Sequence, residues 1–231
     1  RKPLTGKMTH PSVRRYDPAT EITTTTGATE GLFVALTAFV HPGDEVLLFQ
    51  PAYDSYTPAV QLSGGTPRYV TLRHPEYRVD WDEVGRVLSP RTRVIVVNTP
   101  HNPTGMIWTA DDIAGLRTVL QRTDALVISD EVYEHIVFDG ATHHSLARFP
   151  DIAERAVVIS SFGKTYHTTG WKVGYCAAPP ALTSEIQKVH QWVTFAVNGA
   201  VQMAYADMVR RHPPAGDVTA FYQEPRDRFL A

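Results

Sequence analysis

Residues 157–175 read VVISSFGKTYHTTGWKVGY, and this stretch decides how the rest of the chain is interpreted. It opens as an apolar, β-branched run, breaks at small residues and leads directly to Lys164. A second lysine, Lys172, follows between Gly170 and Gly174. The run is typical of a buried strand, and a lysine held where such a strand ends is a candidate nucleophile toward a carbonyl group. For a lysine taken alone, a surface position after a strand is the alternative.

The composition describes an ordinary globular protein. The chain has 231 residues, of which 43% are hydrophobic and 20% charged, enough for one large core or two small ones. A net charge of -2 offers no broad attraction to nucleic acid or anionic membranes. The single cysteine, Cys176, cannot form an internal disulfide, which fits a reducing compartment. We find no membrane-spanning run and no signal peptide pattern, and we expect a cytoplasmic protein.

Short apolar runs alternate along the chain with segments of helical spacing. The pattern predicts strands at residues 21–26, 45–49, 66–72, 93–98, 126–129, 157–159 and 173–178. It predicts helices at residues 27–40, 81–88, 110–121, 182–195 and 199–209, a short helix that ends at 62, and a last helix from 218 onward. Residues 139–151 are predicted to be a loop. This alternation, with continuously apolar strands, predicts an α/β domain whose mostly parallel sheet is covered by helices on both faces.

In such sheets ligands bind beyond the carboxyl ends of the strands, where this sequence places its unusual residues. A lysine there can condense with an aldehyde cofactor. If the cofactor is pyridoxal phosphate, its ring nitrogen requires a carboxylate, its phenolic oxygen requires donors, and its phosphate requires a helix N-terminus, hydroxyls and a cation. The ring face requires an aromatic or apolar cover.

Each requirement has a candidate, and each candidate also has a structural alternative. Asp130 can serve the ring nitrogen, or be a helix N-cap or a turn residue. Asn102 and Tyr133 can serve the phenolic oxygen, or be a turn residue and a core tyrosine. Residues 27–29 can offer amides and a hydroxyl to a phosphate, or simply cap a helix. Tyr53 can cover the ring, or belong to the core.

Four motifs carry a resemblance to a known family. They are TTGATE at residues 25–30, NTPHNP at 98–103, SDEVYEH at 129–135 and SSFGKTYH at 160–167. From about residue 21 to its C-terminus, the chain resembles the fold-type I, pyridoxal-phosphate-dependent aminotransferases of class I/II, and it is most similar to the methionine and kynurenine aminotransferases. The motifs around Asp130 and Lys164 are highly specific together.

The resemblance implies a role for each candidate. Lys164 forms the Schiff base with pyridoxal 5'-phosphate and then shuttles a proton between the substrate Cα and the cofactor. Asp130 pairs with the ring nitrogen, and Asn102 and Tyr133 hold the phenolic oxygen. The remaining implied cofactor-binding residues are Tyr53, which stacks on the ring, and the phosphate ligands Gly27, Ala28, Thr29, Ser161 and Lys172.

The resemblance also implies a domain organisation. Residues 1–20 are expected to be a remnant of an N-terminal arm, 21–215 the large cofactor-binding domain, and 216–231 the start of a helix leading to a small C-terminal domain. That small domain, which in the family supplies an arginine for the substrate carboxylate, is largely absent from this sequence. A fragment, a natural truncation and an omission of unobserved parts all remain open. Arg226 and Arg228 are interpreted as solvated helix positions, and no residue is assigned to the substrate carboxylate.

Three functions remain open at this point. The first is transamination from an amino acid, of methionine or aromatic type, to a 2-oxo acid, by an enzyme that the resemblance implies is a homodimer. The second is a carbon–sulfur β-lyase on the same cofactor site, and the third is a catalytically silent cofactor-binding module. We expect no nucleic-acid or membrane partner. We expect no metal either, because His143 and His144 are adjacent and point different ways, so that they are interpreted as solvated loop residues.

Overall fold

The computed structural model describes residues 14–213 and 217–231. The predictions for residues 1–13, which include most of the expected N-terminal arm, and for residues 214–216 lie outside this part of the chain. Within it the strands are β1 Ile22–Thr25, β2 Glu45–Gln50, β3 Thr66–Thr71, β4 Thr92–Asn98, β5 Leu126–Asp130, β6 Ala156–Ser161 and β7 Gly174–Ala177. Each lies within two residues of a predicted strand.

The strands form one mostly parallel sheet in the order β1-β7-β6-β5-β4-β2-β3. Neighbouring strands from β6 to β3 pair in parallel, with Asn98 opposite Asp130 in β4 and β5. Strand β7 pairs antiparallel with both β1 and β6. Six strands therefore point the same way, and the predicted α/β architecture is confirmed.

Helices cover both faces of the sheet. They are α1 Gly27–Phe39, α2 Tyr56–Leu62, α3 Trp81–Val87, α4 Ala110–Leu120, α5 Pro150–Ala153, α6 Phe162–Thr165, α7 Pro180–Val193, α8 Gly199–Arg211 and α9 Asp217–Leu230. Alternate residues of the strands belong to two separate cores: Leu47 and Ile95 to one, and Leu48 and Val96 to the other. The continuously apolar strand sequences arise because both faces of the sheet are buried.

Two segments differ from their predictions. Residues 139–151 contain a 3-10 turn at Leu146–Arg148 and the beginning of α5, which are too short to show a helical period. Helix α7 begins at Pro180 and ends at Val193, earlier at both ends than predicted. Phe195, which follows, has a φ of 65°, and this left-handed conformation is incompatible with a continued helix.

The interpretation of His143 as a solvated residue is wrong. Its side chain is only 9% exposed, and its Nε2 lies 3.1 Å from Oε2 of the buried Glu131. The residues of the 142–146 segment fold back onto the end of β5, so that an otherwise polar loop buries one of its two histidines. In the part of the chain that the structure describes, no group of three or more metal-ligating side chains is found.

Helix α9 packs against the loop that follows β5. Arg226 donates two hydrogen bonds to the carboxylate of Asp139, at 2.6 and 2.7 Å, and Thr219 Oγ1 donates to the carbonyl of His135 at 3.1 Å. The expectation of a solvated position is therefore wrong for Arg226. Arg228 is 79% exposed and pairs with Glu224 one turn away. The division into an arm, a large domain and the start of a small domain stays a prediction.

Candidate active site

Lys164 lies on a single helical turn at the carboxyl end of a fully buried strand. Strand β6 ends at Ser161, and α6 begins at the next residue, Phe162. The ring of Phe162 stacks on Tyr205 of α8 with their centroids 4.8 Å apart, which anchors the turn to the core. Nζ of Lys164 lies 5.5 Å from the centroid of the Tyr133 ring. The amine is therefore held over an aromatic face at the mouth of the sheet.

Asp130 is the buried carboxylate of the site. It ends β5 and is 3% exposed. Its Oδ2 accepts a hydrogen bond from the hydroxyl of Tyr56 at 2.6 Å, and its Oδ1 accepts one from the backbone N–H of Val132 at 3.2 Å. Burial raises the pKa of Asp130 to about 6, while these two hydrogen bonds act to lower it. The carboxyl group therefore titrates close to neutrality.

Asn98 couples the ends of two neighbouring strands. Its Nδ2 donates to the carbonyl of Asp130 at 2.9 Å, and its Oδ1 accepts from the backbone N–H of Asn102 at 2.7 Å. The position of the Asn102 loop is thereby fixed relative to β5. The role of Asn98 was not deduced from the sequence, although its place at the end of a buried strand was a usable signal.

A backbone cradle lies at the N-terminus of α1. Gly27 opens this 13-residue helix with a φ of 76°, which glycine adopts without strain. A Cβ on Gly27 would lie 3.2 Å from Nζ of Lys172, and a Cβ on Gly174 would lie 2.7 Å from the carbonyl carbon of Gly27. The glycines therefore allow the amine of Lys172 to approach the positive end of the helix dipole. Two sources of positive charge meet there.

All ten predicted site residues line one cavity. The space that no protein atom fills in and in front of it is about 720 Å³, part of which is open solvent. Besides the predicted residues, the cavity is lined by Leu32, Asn98, Val132, Gly163, Thr169 and Val173. Residues separated by more than 140 positions are brought together because their strands end at the same edge of the sheet.

This fold and cavity define a class of protein: a mostly parallel α/β domain that presents a lysine and a buried carboxylate at the carboxyl ends of its strands. The chain belongs to the aminotransferase class I and II family, whose model matches residues 2–231. Members of this family use pyridoxal 5'-phosphate.

Several characterised proteins are similar to this chain. A methionine aminotransferase of Escherichia coli is 51% identical over 212 residues, which cover 91% of this chain and 55% of the relative. A kynurenine–oxoglutarate transaminase of Dictyostelium discoideum is 34% identical, covering 94% and 54% of the two chains. The solved structure of an Escherichia coli protein identified as a methionine aminotransferase matches with a TM-score of 0.94 at 48% identity, covering 97% of this chain and 60% of that one. The solved structure of an aromatic aminotransferase of Pyrococcus horikoshii matches with a TM-score of 0.91 at 32% identity, covering 98% of this chain and 61% of that one.

The chain spans about half the length of the curated relatives it matches. Among the described residues, no helix is both long and apolar enough to cross a membrane.

The chemistry of the donor set fits pyridoxal phosphate. Asp130 offers a carboxylate suited to a pyridine nitrogen, and Tyr133 and Asn102 offer a hydroxyl and an amide. The opening of α1 and the Lys172 amine form a cradle, which a Cβ at Gly27 would fill, suited to a phosphate. The residues present therefore meet each of the requirements that the sequence suggested.

Proposed function

We propose that this chain is the cofactor-binding part of an aminotransferase that moves an amino group from an amino acid, of methionine or aromatic type, to a 2-oxo acid. The observation that carries the proposal is the single cavity in which the amine of Lys164 and the carboxylate of Asp130 meet. The substrate class is supported by the two relatives named above as methionine and kynurenine aminotransferases. Lys164 is proposed as the amine that attaches pyridoxal phosphate.

Pyridoxal phosphate, when bound, supplies an electron sink that stabilises negative charge at the substrate Cα. Asp130 would maintain that sink by holding a proton on the ring nitrogen. Asn102 and Tyr133 would donate hydrogen bonds to the phenolic oxygen. Lys164, as a free amine, would take the proton from the substrate Cα and deliver it to C4′ of the cofactor. The proximity of the Lys164 amine to the Tyr133 ring, 5.5 Å from Nζ to the centroid, supports a shared site for these two roles.

The remaining site residues would bind and orient. Gly27, Ala28 and Thr29 would present backbone N–H groups and a hydroxyl to the phosphate, with Ser161 and Lys172 completing the cradle. Tyr53 would cover the ring. Its hydroxyl lies 3.5 Å from Oγ1 of Thr29, so the ring cover and the phosphate cradle are adjacent. A homodimer in the cytoplasm stays a prediction from the family resemblance.

The first experiment locates the cofactor. The purified chain is mixed with pyridoxal phosphate, reduced with borohydride and mapped by peptide mass. The mass tag is expected on Lys164, and it should vanish in Lys164→Ala. Lys188→Ala is the matched control, because this exposed lysine of α7 lies 2.6 Å from a surface carboxylate, that of Glu185. A tag spread over several lysines and unchanged in Lys164→Ala would contradict the proposal.

The second experiment separates the reactions that one cofactor site supports. Methionine and aromatic amino acids are added to the loaded chain, and the products are identified. Transamination yields a 2-oxo acid and an aminated cofactor. Release of ammonia and a thiol would instead indicate a β-lyase. A loaded chain whose spectrum responds to no amino acid would indicate a cofactor-binding module without turnover.

A further inference from the structure

Tyr56 is the buried partner of the site's carboxylate. It is the first residue of α2 and is 3% exposed, and its hydroxyl lies 2.6 Å from Oδ2 of Asp130, 74 positions away. This distance is typical of a hydroxyl that donates to an ionised carboxylate. The cavity lining includes Asp130 but not Tyr56. The hydroxyl of Tyr56 therefore acts on the cavity through Asp130, to which it is hydrogen-bonded.

Two hydrogen bonds hold the carboxylate of Asp130, which also lines the cavity. Oδ2 is occupied by Tyr56 and Oδ1 by the Val132 N–H, and the two bonds fix the rotation of the carboxylate about its axis. Tyr56 is held in turn by an edge-to-face contact with Tyr53, whose ring centroid is 5.7 Å away. One aromatic pair therefore connects the residue proposed to cover the cofactor ring with the residue that orients the carboxylate.

Burial of a carboxylate favours its neutral form, and a donated hydrogen bond opposes that effect. The pKa of Tyr56 lies well above 10 because of burial and the nearby charge of Asp130, so its hydroxyl keeps its proton and can only donate to the carboxylate. The other titratable groups near Asp130 are Glu131, the next residue, and, from the remaining cavity walls, Tyr53, Tyr133, Lys164 and Lys172.

We propose that Tyr56 is a positioning residue whose hydroxyl orients Asp130 and keeps its carboxylate ionised, so that the ring nitrogen of the cofactor retains a proton. The inference rests on the proposed function, because it requires a pyridine nitrogen at Asp130. The ionised carboxylate of Asp130 would hold this proton on the ring nitrogen, and no bond to carbon would change.

The test compares two ligands on matched variants. Dissociation constants are measured for pyridoxal phosphate and for its analogue with C–H in place of the ring nitrogen. Tyr56→Phe is expected to weaken pyridoxal phosphate roughly tenfold and to change the carbon analogue less than about twofold, since only the first ligand uses the ionised carboxylate. Tyr69→Phe is the control. It removes a hydroxyl of β3 that lies 2.9 Å from Oγ1 of Thr57, the neighbour of Tyr56 on α2, and the affinities for both ligands should match those of the wild type.

A second background keeps the test decisive. In the Asp130→Asn background, Tyr56→Phe is expected to alter the affinity for pyridoxal phosphate less than about twofold, because the carboxylate that Tyr56 would act on has been removed. A further tenfold loss in that background would show a general structural effect and overturn the inference. Equal losses for both ligands, or no loss for pyridoxal phosphate in Tyr56→Phe, would overturn it as well.

The ligand-free chain supplies an independent readout. The carboxyl ¹³C signal of Asp130 is followed against pH in the wild type, Tyr56→Phe and Tyr69→Phe. The midpoint is expected to rise in Tyr56→Phe only, and an unchanged midpoint would overturn the inference. If the wild type binds no pyridoxal phosphate, the proposed function fails and the inference about the ring nitrogen fails with it. If the wild type binds pyridoxal phosphate and Tyr56→Phe binds it equally well, the proposed function stands and only the inference about Tyr56 fails.

Discussion

Glu131 and His143 form a buried pair next to the end of β5, with Oε2 of Glu131 3.1 Å from Nε2 of His143. The other oxygen, Oε1, accepts from the hydroxyl of Ser129 at 2.9 Å and from the backbone N–H of Leu146 at 3.0 Å. Glu131 follows Asp130, so this network fastens the 142–146 segment to the end of β5. The residue next to Asp130 is thereby held by three hydrogen-bonding partners.

The pair makes stability depend on pH. Burial acts to lower the pKa of His143, but the hydrogen bond and charge of Glu131, with a contribution from Glu134, raise it above the ordinary 6.5, while Arg148 acts to lower it. The stabilisation is therefore complete below about 6.5 and is lost as the pH rises through the raised pKa of the folded state. His143→Gln keeps a donor without the charge, and we expect it to be about 2 kcal/mol less stable than the wild type at pH 6.

Urea unfolding between pH 5.5 and 9 measures this difference. The gap between wild type and His143→Gln should narrow as the pH rises. His41→Gln is the control, because the His41 side chain is 68% exposed and should contribute little at any pH. A gap for His143→Gln that stays constant across the range would contradict an ion pair.

The cradle at Gly27 predicts a second outcome. Gly27→Ala places a Cβ 3.2 Å from Nζ of Lys172 at a φ of 76°. We expect a loss of stability of about 1 kcal/mol from the left-handed backbone and a roughly tenfold weaker binding of pyridoxal phosphate from the displaced amine. Gly43→Ala is the matched control, because its φ is 96° and nothing lies within 4 Å of the added Cβ.

Thermal unfolding and cofactor titration separate the two effects. Both glycine variants should lose stability, and only Gly27→Ala should lose affinity. If Gly43→Ala weakened binding equally, the loss would arise from general destabilisation, and the cradle would carry no special role.

The sheet and the predicted residues that line the cavity could be deduced from the sequence for one physical reason. Buried parallel strands show as continuous apolar runs, and their carboxyl ends share one edge, so residues such as Asp130 and Lys164 could be placed together without knowing any distance. The helical boundaries of α1 and α4 followed from periodicity in the same way. Their roles toward a cofactor stay predictions.

The partners of those residues could not be predicted, because they depend on the packing of elements distant in sequence. Tyr56 reaches Asp130 only because α2 packs on the face of the sheet beside β5. His143 is buried only because its loop folds back onto Glu131. Neither residue has a local pattern that distinguishes it from a core tyrosine or a loop histidine. The residues that support the site were therefore not predicted, although the ten predicted residues do line the cavity.

His101 predicts a pH effect on the acid side. It is 6% exposed, its Nδ1 lies 2.8 Å from Oγ1 of Thr104, and a hydrogen bond links its ring to the carbonyl of Pro51. Burial lowers its pKa from 6.5 to about 4. The unfolded chain therefore takes up this proton first, and stability should fall as the pH drops from about 6.5 and level off below about 4.

Unfolding free energies of the wild type and His101→Asn between pH 3.5 and 7.5 test this sign. The slope of the wild type should exceed that of His101→Asn in the acid part of the range, because asparagine does not titrate. His41→Asn, at an exposed position, should keep the slope of the wild type. Parallel curves for the wild type and His101→Asn would show that His101 titrates as it does in the unfolded chain.

The last prediction concerns a link between α1 and α7. Oε1 of Glu30 lies 2.9 Å from Nδ1 of His190, and Oε2 accepts from the backbone N–H of Thr26 at 2.9 Å. Thr26 precedes the helix and makes no side-chain cap of its own, so the bond from its N–H to Glu30 is what ties it to the first turn. Both side chains of the pair are nearly buried, at 11% and 12% exposure. His190 therefore holds the residue that fixes the opening of the cradle.

A double-mutant cycle measures this link. Glu30→Ala and His190→Ala are expected to show a coupling free energy of about 1 kcal/mol, because each removes the other's partner at a poorly solvated site. The exposed pair Glu185 and Lys188, 2.6 Å apart on α7, is the matched cycle and should couple by less than about 0.5 kcal/mol.

The affinity for pyridoxal phosphate tests whether the Glu30–His190 link also shapes the cradle. Glu30→Ala releases the Thr26 N–H and loosens the first turn of α1, so it should weaken pyridoxal phosphate several-fold, whereas Glu30→Gln retains an acceptor and should weaken it less. Glu185→Ala should bind as the wild type does. If the Glu30 and Glu185 cycles gave equal coupling, or if Glu30→Ala bound the cofactor normally, the opening of α1 would be fixed by its backbone alone, and His190 would play no part in shaping the cradle.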